Sequence, residues 1–126
     1  MENKWKNPNF FQSLKNALNG IKFVWEYGEN IKIQVLFAFF AIIIGICLKI
    51  SLIEFLILIL TIFFVIICEV INTAIEKLVD LYTLDYNETA KIIKDVSAGS
   101  VTLSAIMSVI IGILLFLPKI INFIMR

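Results

Sequence analysis

Glu69, Asn72, Glu76 and Asp80 interrupt an otherwise apolar run in CEVINTAIEKLVD at residues 68–80. At about 100° of helical rotation per residue, Asn72, Glu76 and Asp80 fall roughly −60°, −20° and +20° from Glu69. A helix through this segment therefore gathers three carboxylates and an amide on one narrow stripe. Val70, Ile71, Ala74, Ile75, Leu78 and Val79 fill the rest of its circumference. In a chain with no His and no CxxC pair, this is an oxygen-only donor set. Such a set suits Mg²⁺, which binds through one or two carboxylates together with substrate phosphates. The plainer reading is a strip that pairs with Lys91 or Lys94, or that hydrogen-bonds between subunits.

The elements that position this stripe follow from composition. The chain has 126 residues, of which 60% are hydrophobic and 17% charged. A soluble domain of this size cannot hide so much apolar surface, because a small body leaves too large a share of itself exposed. With a mean hydropathy of +0.96, the expected fold is a single-domain, all-α integral membrane protein. A helix crossing the hydrocarbon needs about 20 mostly apolar residues. Three segments qualify, at about 33–50, 52–72 and 96–118, the first containing Gln34 and the last ending at LPK, a natural helix stop. The link KISLIE is long enough only for a tight helical hairpin.

Ahead of the first span, residues about 8–28 begin a helix with Asn7 as cap and Pro8 in its first turn. Phe10, Phe11, Leu14, Ala17, Leu18 and Ile21 recur at spacings of one, three and four, the pattern of an amphipathic helix. It can lie on the membrane surface or pack across its own bundle. Lys4, Lys6, Lys15, Lys22 and Lys32 precede span one, and Lys77, Lys91 and Lys94 lie between spans two and three. Lys49, Lys119 and Arg126 fall on the other side. The positive-inside rule then places the N-terminus and the 77–95 link in the cytoplasm. The acidic stripe lies where span two leaves lipid, and ionisable groups so close to hydrocarbon are functional candidates.

The link LYTLDYNETAKIIKDVSAGS leads into the third span. Lys91, Lys94 and Asp95 occupy its first turns, where a lysine can act as a point charge on a phosphate or form an ordinary i,i+4 pair with Asp95. Ser97, Ala98, Gly99, Ser100 and Ser104 permit close helix packing. The NET triplet at 87–89 fits a glycosylation sequon, which a cytoplasmic placement makes irrelevant. With five glycines in all, the chain has neither a G-x-x-x-x-G-K-[ST] loop nor a kinase Gly-rich loop, so any ATP site is of another kind. A net charge of +1 excludes the concentrated basic patch of a nucleic-acid binder. Cys47 and Cys68 lie in apolar runs and read as small buried side chains. No apolar core stands near Met1, so no cleavable signal peptide is expected. A non-enzymatic channel or assembly subunit is the reading from another class, although a pore would place its carboxylates deeper.

The segment EVINTAIEKLVD at 69–80 resembles the signature of the small prokaryotic diacylglycerol kinase and undecaprenol kinase family. The likeness extends to FF at 10–11, Gly20-Ile21, SLIE at 51–54, the A-K-x-x-K-D-x-x-A-G pattern at 90–99 and IIGILLFLPK at 110–119. The last two are similar to the Gram-positive branch, chiefly undecaprenol kinases. The resemblance implies a homotrimeric bundle in the bacterial plasma membrane, each protomer with three transmembrane helices and an N-terminal surface helix. Its active sites would be cytoplasmic and shared between neighbours. Mg²⁺ and ATP would be the cofactor and co-substrate, and a bilayer alcohol the acceptor, undecaprenol in preference to diacylglycerol. Glu69 would be the general base, Asn72 would position the reacting groups, and Glu76 would hold the metal of Mg·ATP. Lys94 and Asp95 would lie at the nucleotide, with Asp80 and the Asp85, Tyr86, Asn87 turn as further contacts.

Two positions depart from the family pattern. Relatives carry a second metal-binding glutamate before span one, and aligning on Asn30 puts Gly28 there and Glu29 one place later. Glu29 is the expected ligand if the backbone adjusts locally, as Gly28 permits, and Glu26 is a weaker substitute. Many relatives also have a basic residue before the FF pair where this chain has Asn9, with Lys6 or Lys15 as compensating charges.

Overall fold

The computed structural model describes residues 4–6 and 9–126; Asn7 and Pro8, expected to open the first helix, lie outside them. Four helices follow in order: α1 (Phe10–Tyr27), α2 (Ile31–Cys47), α3 (Leu52–Tyr82) and α4 (Glu88–Ile124). Asn9 is the N-cap of α1, its Oδ1 accepting the Gln12 backbone N–H at 2.8 Å. The residue that stands in place of the family's basic side chain therefore serves to start the helix.

Between α1 and α2 the chain turns through 99°. Gly28 closes α1 in an extended conformation, φ −68°, so its role is not left-handed freedom. It is space: a Cβ at Gly28 would stand 2.5 Å from the Val24 carbonyl oxygen, an approach that backbone cannot relieve. The elbow is therefore tight because residue 28 has no side chain.

The hairpin between α2 and α3 is equally compact. Lys49 takes a left-handed conformation at φ 53°. Its N–H bonds the Ile46 carbonyl at 3.1 Å while the Ile50 N–H bonds the Gly45 carbonyl at 3.1 Å. This is a Schellman closure, so α2 ends at Cys47 and not at Ile50, where apolar character alone had set the limit of span one. A non-glycine residue in this conformation is strained. Lys49→Gly is expected to raise stability by about 0.5 kcal/mol, measured as the midpoint of detergent or thermal unfolding. A lowered midpoint would show that the lysine side chain contributes more than its backbone costs.

α3 starts with a capping box, Ser51 Oγ accepting the Glu54 N–H at 3.2 Å and Glu54 Oε2 accepting the Ser51 N–H at 2.7 Å. It runs 31 residues, through the apolar segment and on through the acidic stripe. α4 begins at Asn87, whose Oδ1 accepts the Ala90 N–H at 2.9 Å, and continues for 37 residues. The expected stop at Pro118 does not occur, since the helix carries on to Ile124. Proline removes one N–H and strains its turn, but in apolar helices the neighbouring turns and packing tolerate it. Here Leu115 is buried just before it, and Lys119 just after it reaches Glu54 at 3.1 Å.

α3 packs most extensively on α4, and α2 rests on α3. The buried line on α3 is Leu58, Thr61, Glu69, Asn72, Thr73 and Val79, facing Ser97, Val101, Ser104 and Leu115 of α4. Of the small residues expected at this contact, Ser97 and Ser104 are buried, whereas Ala98 and Ser100 are exposed and Gly99 has open space where a Cβ would stand. Several hydroxyls bond their own helix, Thr61 to the Ile57 carbonyl at 2.7 Å and Ser104 to the Val101 carbonyl at 2.7 Å. That removes the cost of polar atoms in an apolar setting. The exterior is apolar, with Phe37, Leu60, Leu103 and Leu114 each about 70% exposed. α3 and α4 are each long and apolar enough to cross a membrane, and α1 with α2 qualify as a bent pair. The exposed cysteine, Cys47, and the half-buried Cys68 are unbonded, so the first departs from the buried position expected of it.

Candidate active site

The stripe on α3 is realised as one face, but its four members have different environments. Glu69 is fully buried and Asn72 is 4% exposed, while Glu76 and Asp80 are half-buried toward the helix end. Glu69 Oε1 accepts the backbone N–H of Asn30 at 3.4 Å, a contact that crosses from the α1–α2 elbow to α3. Glu69 Oε2 is buried with no protein partner. The same holds for Asn72 Oδ1, while Asn72 Nδ2 donates to Glu76 Oε1 at 3.1 Å. An unpaired buried carboxylate oxygen is expensive, and native structures retain such groups chiefly for a task.

Thr73 fixes the local helix by donating to the Glu69 carbonyl at 3.0 Å. The stripe thus carries two separate contacts, Asn30 to Glu69 at the elbow and Asn72 to Glu76 further along α3. Between them lie two buried acceptor atoms without a protein partner, Glu69 Oε2 and Asn72 Oδ1. Ser97 Oγ on α4 and Gln34 Oε1 on α2 are further buried atoms without partners. Gln34 carried a sequence signal, a lone amide in an apolar span; the contact through the Asn30 backbone carried none, because it depends on no side-chain type.

Asp80 behaves as the plainer reading expected. Lys94 donates to Asp80 Oδ1 at 2.6 Å, both side chains being about two-fifths exposed. Both stand beyond the apolar stretches. The Lys94 hydrogen bond holds the Asp80 carboxyl below its ordinary range, and its own ammonium is raised, first by that bond. The charges of Glu76 and Glu29 add to the rise at Lys94. An exposed pair of this kind adds little stability, so its interest lies in the lysine it holds in place. Lys91 bonds Asp95 at 2.5 Å on the exposed first turns of α4.

The remaining predicted residues lie around the α3–α4 link. Asp85 and Tyr86 are exposed, with Asp85 N–H bonded to Thr83 Oγ1 at 3.1 Å in a tight turn. Asn87 spends its side-chain oxygen on capping α4. Lys6 and Lys15 are exposed. Among the described residues no group of three or more His, Cys, Asp or Glu side chains converges as a preformed metal site. The oxygen-only donors Glu76 and Glu29, and the unsatisfied Asn72 oxygen beside them, suit a Mg²⁺ that takes its remaining ligands from phosphate and water.

Gly28→Ala tests the elbow. Its Cβ would displace Val24 or the turn itself, moving Glu29 and Asn30. The expected result is a loss of about tenfold or more in phosphotransfer efficiency, since misplacements near 1 Å cost on that scale or beyond. Unchanged kinetics in Gly28→Ala would show that the elbow is not held to this geometry.

Fold and site together define an all-helical membrane protein with an oxygen-rich polar cluster where its longest apolar segments give way to charge. The chain belongs to the prokaryotic diacylglycerol kinase family, whose model matches residues 15–116. It is 40% identical over 113 residues to an undecaprenol kinase of Bacillus subtilis (strain 168), covering 87% of this chain and 89% of that one. A diacylglycerol kinase of Synechocystis is 36% identical over 123 residues, 96% of this chain and 70% of its own length. A diacylglycerol kinase of Helicobacter pylori (strain J99) is 30% identical over 90 residues, 71% of this chain and 70% of the relative.

Proposed function

We propose that this protein is a single-domain ATP-dependent lipid kinase that transfers the γ-phosphoryl group of Mg·ATP to the hydroxyl of undecaprenol. The observation that carries the choice of lipid is the 40% identity to an undecaprenol kinase across nearly the whole of both chains. Glu69 Oε2 takes the hydroxyl proton, the alkoxide-like oxygen attacks the γ-phosphorus, and ADP leaves. The orphaned state of Oε2 supports this role, because the atom is already desolvated and uncommitted. Asn72, tied to Glu76 through its Nδ2, helps to position the reacting groups. Glu76 and Glu29 would hold Mg²⁺, which when bound would supply neutralisation of the phosphate charge. Lys94 and Asp95, with Asp80 and the Asp85–Asn87 turn, bind the nucleotide. A loose phosphoryl-transfer transition state needs alignment and charge more than covalent help, so this short set of residues suffices.

In this reading α2, α3 and α4 each cross the plasma membrane and α1 lies along its cytoplasmic surface as an amphipathic helix. The 99° elbow supports that disposition, since a helix perpendicular to a span lies in the membrane plane. The lysines that precede α2 and flank the 77–95 link support a cytoplasmic site. The working unit is a homotrimer with sites completed by a neighbour, and the wide apolar exterior of the protomer suits such association.

Diacylglycerol is the second acceptor to consider, on the strength of the Synechocystis relative. Purified protein in micelles, given labelled ATP and each lipid in turn, is expected to phosphorylate undecaprenol faster. Labelling of diacylglycerol alone reverses the choice, and labelling of neither removes the kinase reading.

A further inference from the structure

Lys77 has no place in the reaction described above, yet it joins α1 to α3 beside the acidic stripe. Its ammonium lies 5.6 Å from the Phe23 ring centre and 5.9 Å from that of Tyr27. The two rings are one helical turn apart on α1, with centroids 4.7 Å from each other. Tyr27 is the last residue of α1, and Gly28, Glu29 and Asn30 of the elbow follow at once. Direct packing between α1 and α3 is otherwise slight. On α3, Lys77 adjoins Glu76 and stands two turns beyond Glu69.

We propose that Lys77 is a positioning residue that clamps the end of α1 onto α3, and so holds Glu29 toward Glu76. The inference rests on the kinase reading for the purpose of Glu29 but on geometry for the clamp. Two rings and one cation make a join that turns about the ammonium yet resists separation. A lysine suits it better than an apolar side chain, since the long stem covers apolar surface while the charged head stays at the wet edge. Three residues of tight elbow then transmit the position of Tyr27 to Glu29 with little slack, because Gly28 is already pressed against Val24. Loss of the clamp frees the elbow and lowers the occupancy of the metal-binding arrangement, leaving Glu69 and the transfer step in place.

The test uses the full-length protein in micelles, with Mn²⁺ as a paramagnetic substitute for Mg²⁺ and a non-hydrolysable ATP analogue. Lys77→Met is expected to weaken Mn²⁺ binding in that ternary mixture about tenfold, the size that two exposed cation–π contacts account for. The KM for Mg·ATP rises by a similar factor while kcat stays within about twofold. Lys77→Arg restores both, because guanidinium also stacks on aromatic faces. Tyr27→Leu gives a smaller loss that does not add to that of Lys77→Met, as expected for residues acting as one unit. Wild-type Mn²⁺ affinity in Lys77→Met overturns the clamp while the kinase reading stands. So does a fall in kcat that Arg fails to reverse. Wild-type protein that phosphorylates neither lipid overturns both.

Discussion

Glu69→Gln is expected to lower kcat for lipid phosphorylation by about three orders of magnitude, the middle of the range for loss of a general base. The substitution keeps volume and shape. The amide oxygen of the new side chain can still accept the Asn30 N–H that Glu69 Oε1 accepts at 3.4 Å. What it cannot do is take a proton at the position of Oε2. Assembly in detergent, followed by size and by tryptophan fluorescence, is therefore expected to match wild type. Turnover within tenfold of wild type would remove Glu69 from the role of base. Loss of assembly along with activity would instead place the carboxylate in the fold.

Glu76→Gln is expected to reduce kcat/KM by about two to three orders of magnitude, as for other charge-stabilising groups in transfer sites. In the proposed reaction the role of Glu76 is metal binding and that of Glu69 proton transfer, so the two mutants are separable. The amide at position 76 keeps an oxygen for the Asn72 Nδ2 bond, now 3.1 Å long, but offers no charge to Mg²⁺. Mn²⁺ binding with a non-hydrolysable ATP analogue is expected to fall steeply in Glu76→Gln and to be near normal in Glu69→Gln. Glu29→Gln should share the Glu76 phenotype in milder form, and Glu26→Gln should not. Equal metal binding in Glu76→Gln and wild type would remove the carboxylate from the metal site.

The stripe itself was legible because helical geometry turns a spacing of three, four and four into one face, and α3 is helical throughout. The i,i+4 spacing of Lys91 and Asp95 likewise foretold their pair. The α3–α4 link was legible as far as its lysines, though which of them meets Asp80 depends on the crossing of two helices. Pro118 misled because its effect is local, whereas Leu115 packing and the Lys119–Glu54 contact, both tertiary, carry the helix through it. The end of α2 at Cys47 was hidden for a related reason: Ile50 is apolar but belongs to the turn that bonds back to Gly45. The contact from Asn30 to Glu69 joins residues 39 apart through a main-chain donor, and no pattern of side chains announces it. Gly28 was recognised as unusual, but its purpose proved to be close approach at ordinary φ.

The Schellman closure and capping box have a mechanical consequence for distant chemistry. Asn30 and Glu69 each lie 18 residues from the hairpin, at Leu48 and Ser51, so both stand about 27 Å along their helices from it. The hairpin is a fulcrum and the two helices are equal arms. A change of about 2° in their opening moves the tips by about 1 Å, enough to carry Asn30 out of reach of Glu69. The contact between Asn30 and Glu69 thus sits far from the fulcrum, where a small opening is magnified. A change in the tilt of either arm therefore acts on the Asn30–Glu69 contact without touching either residue.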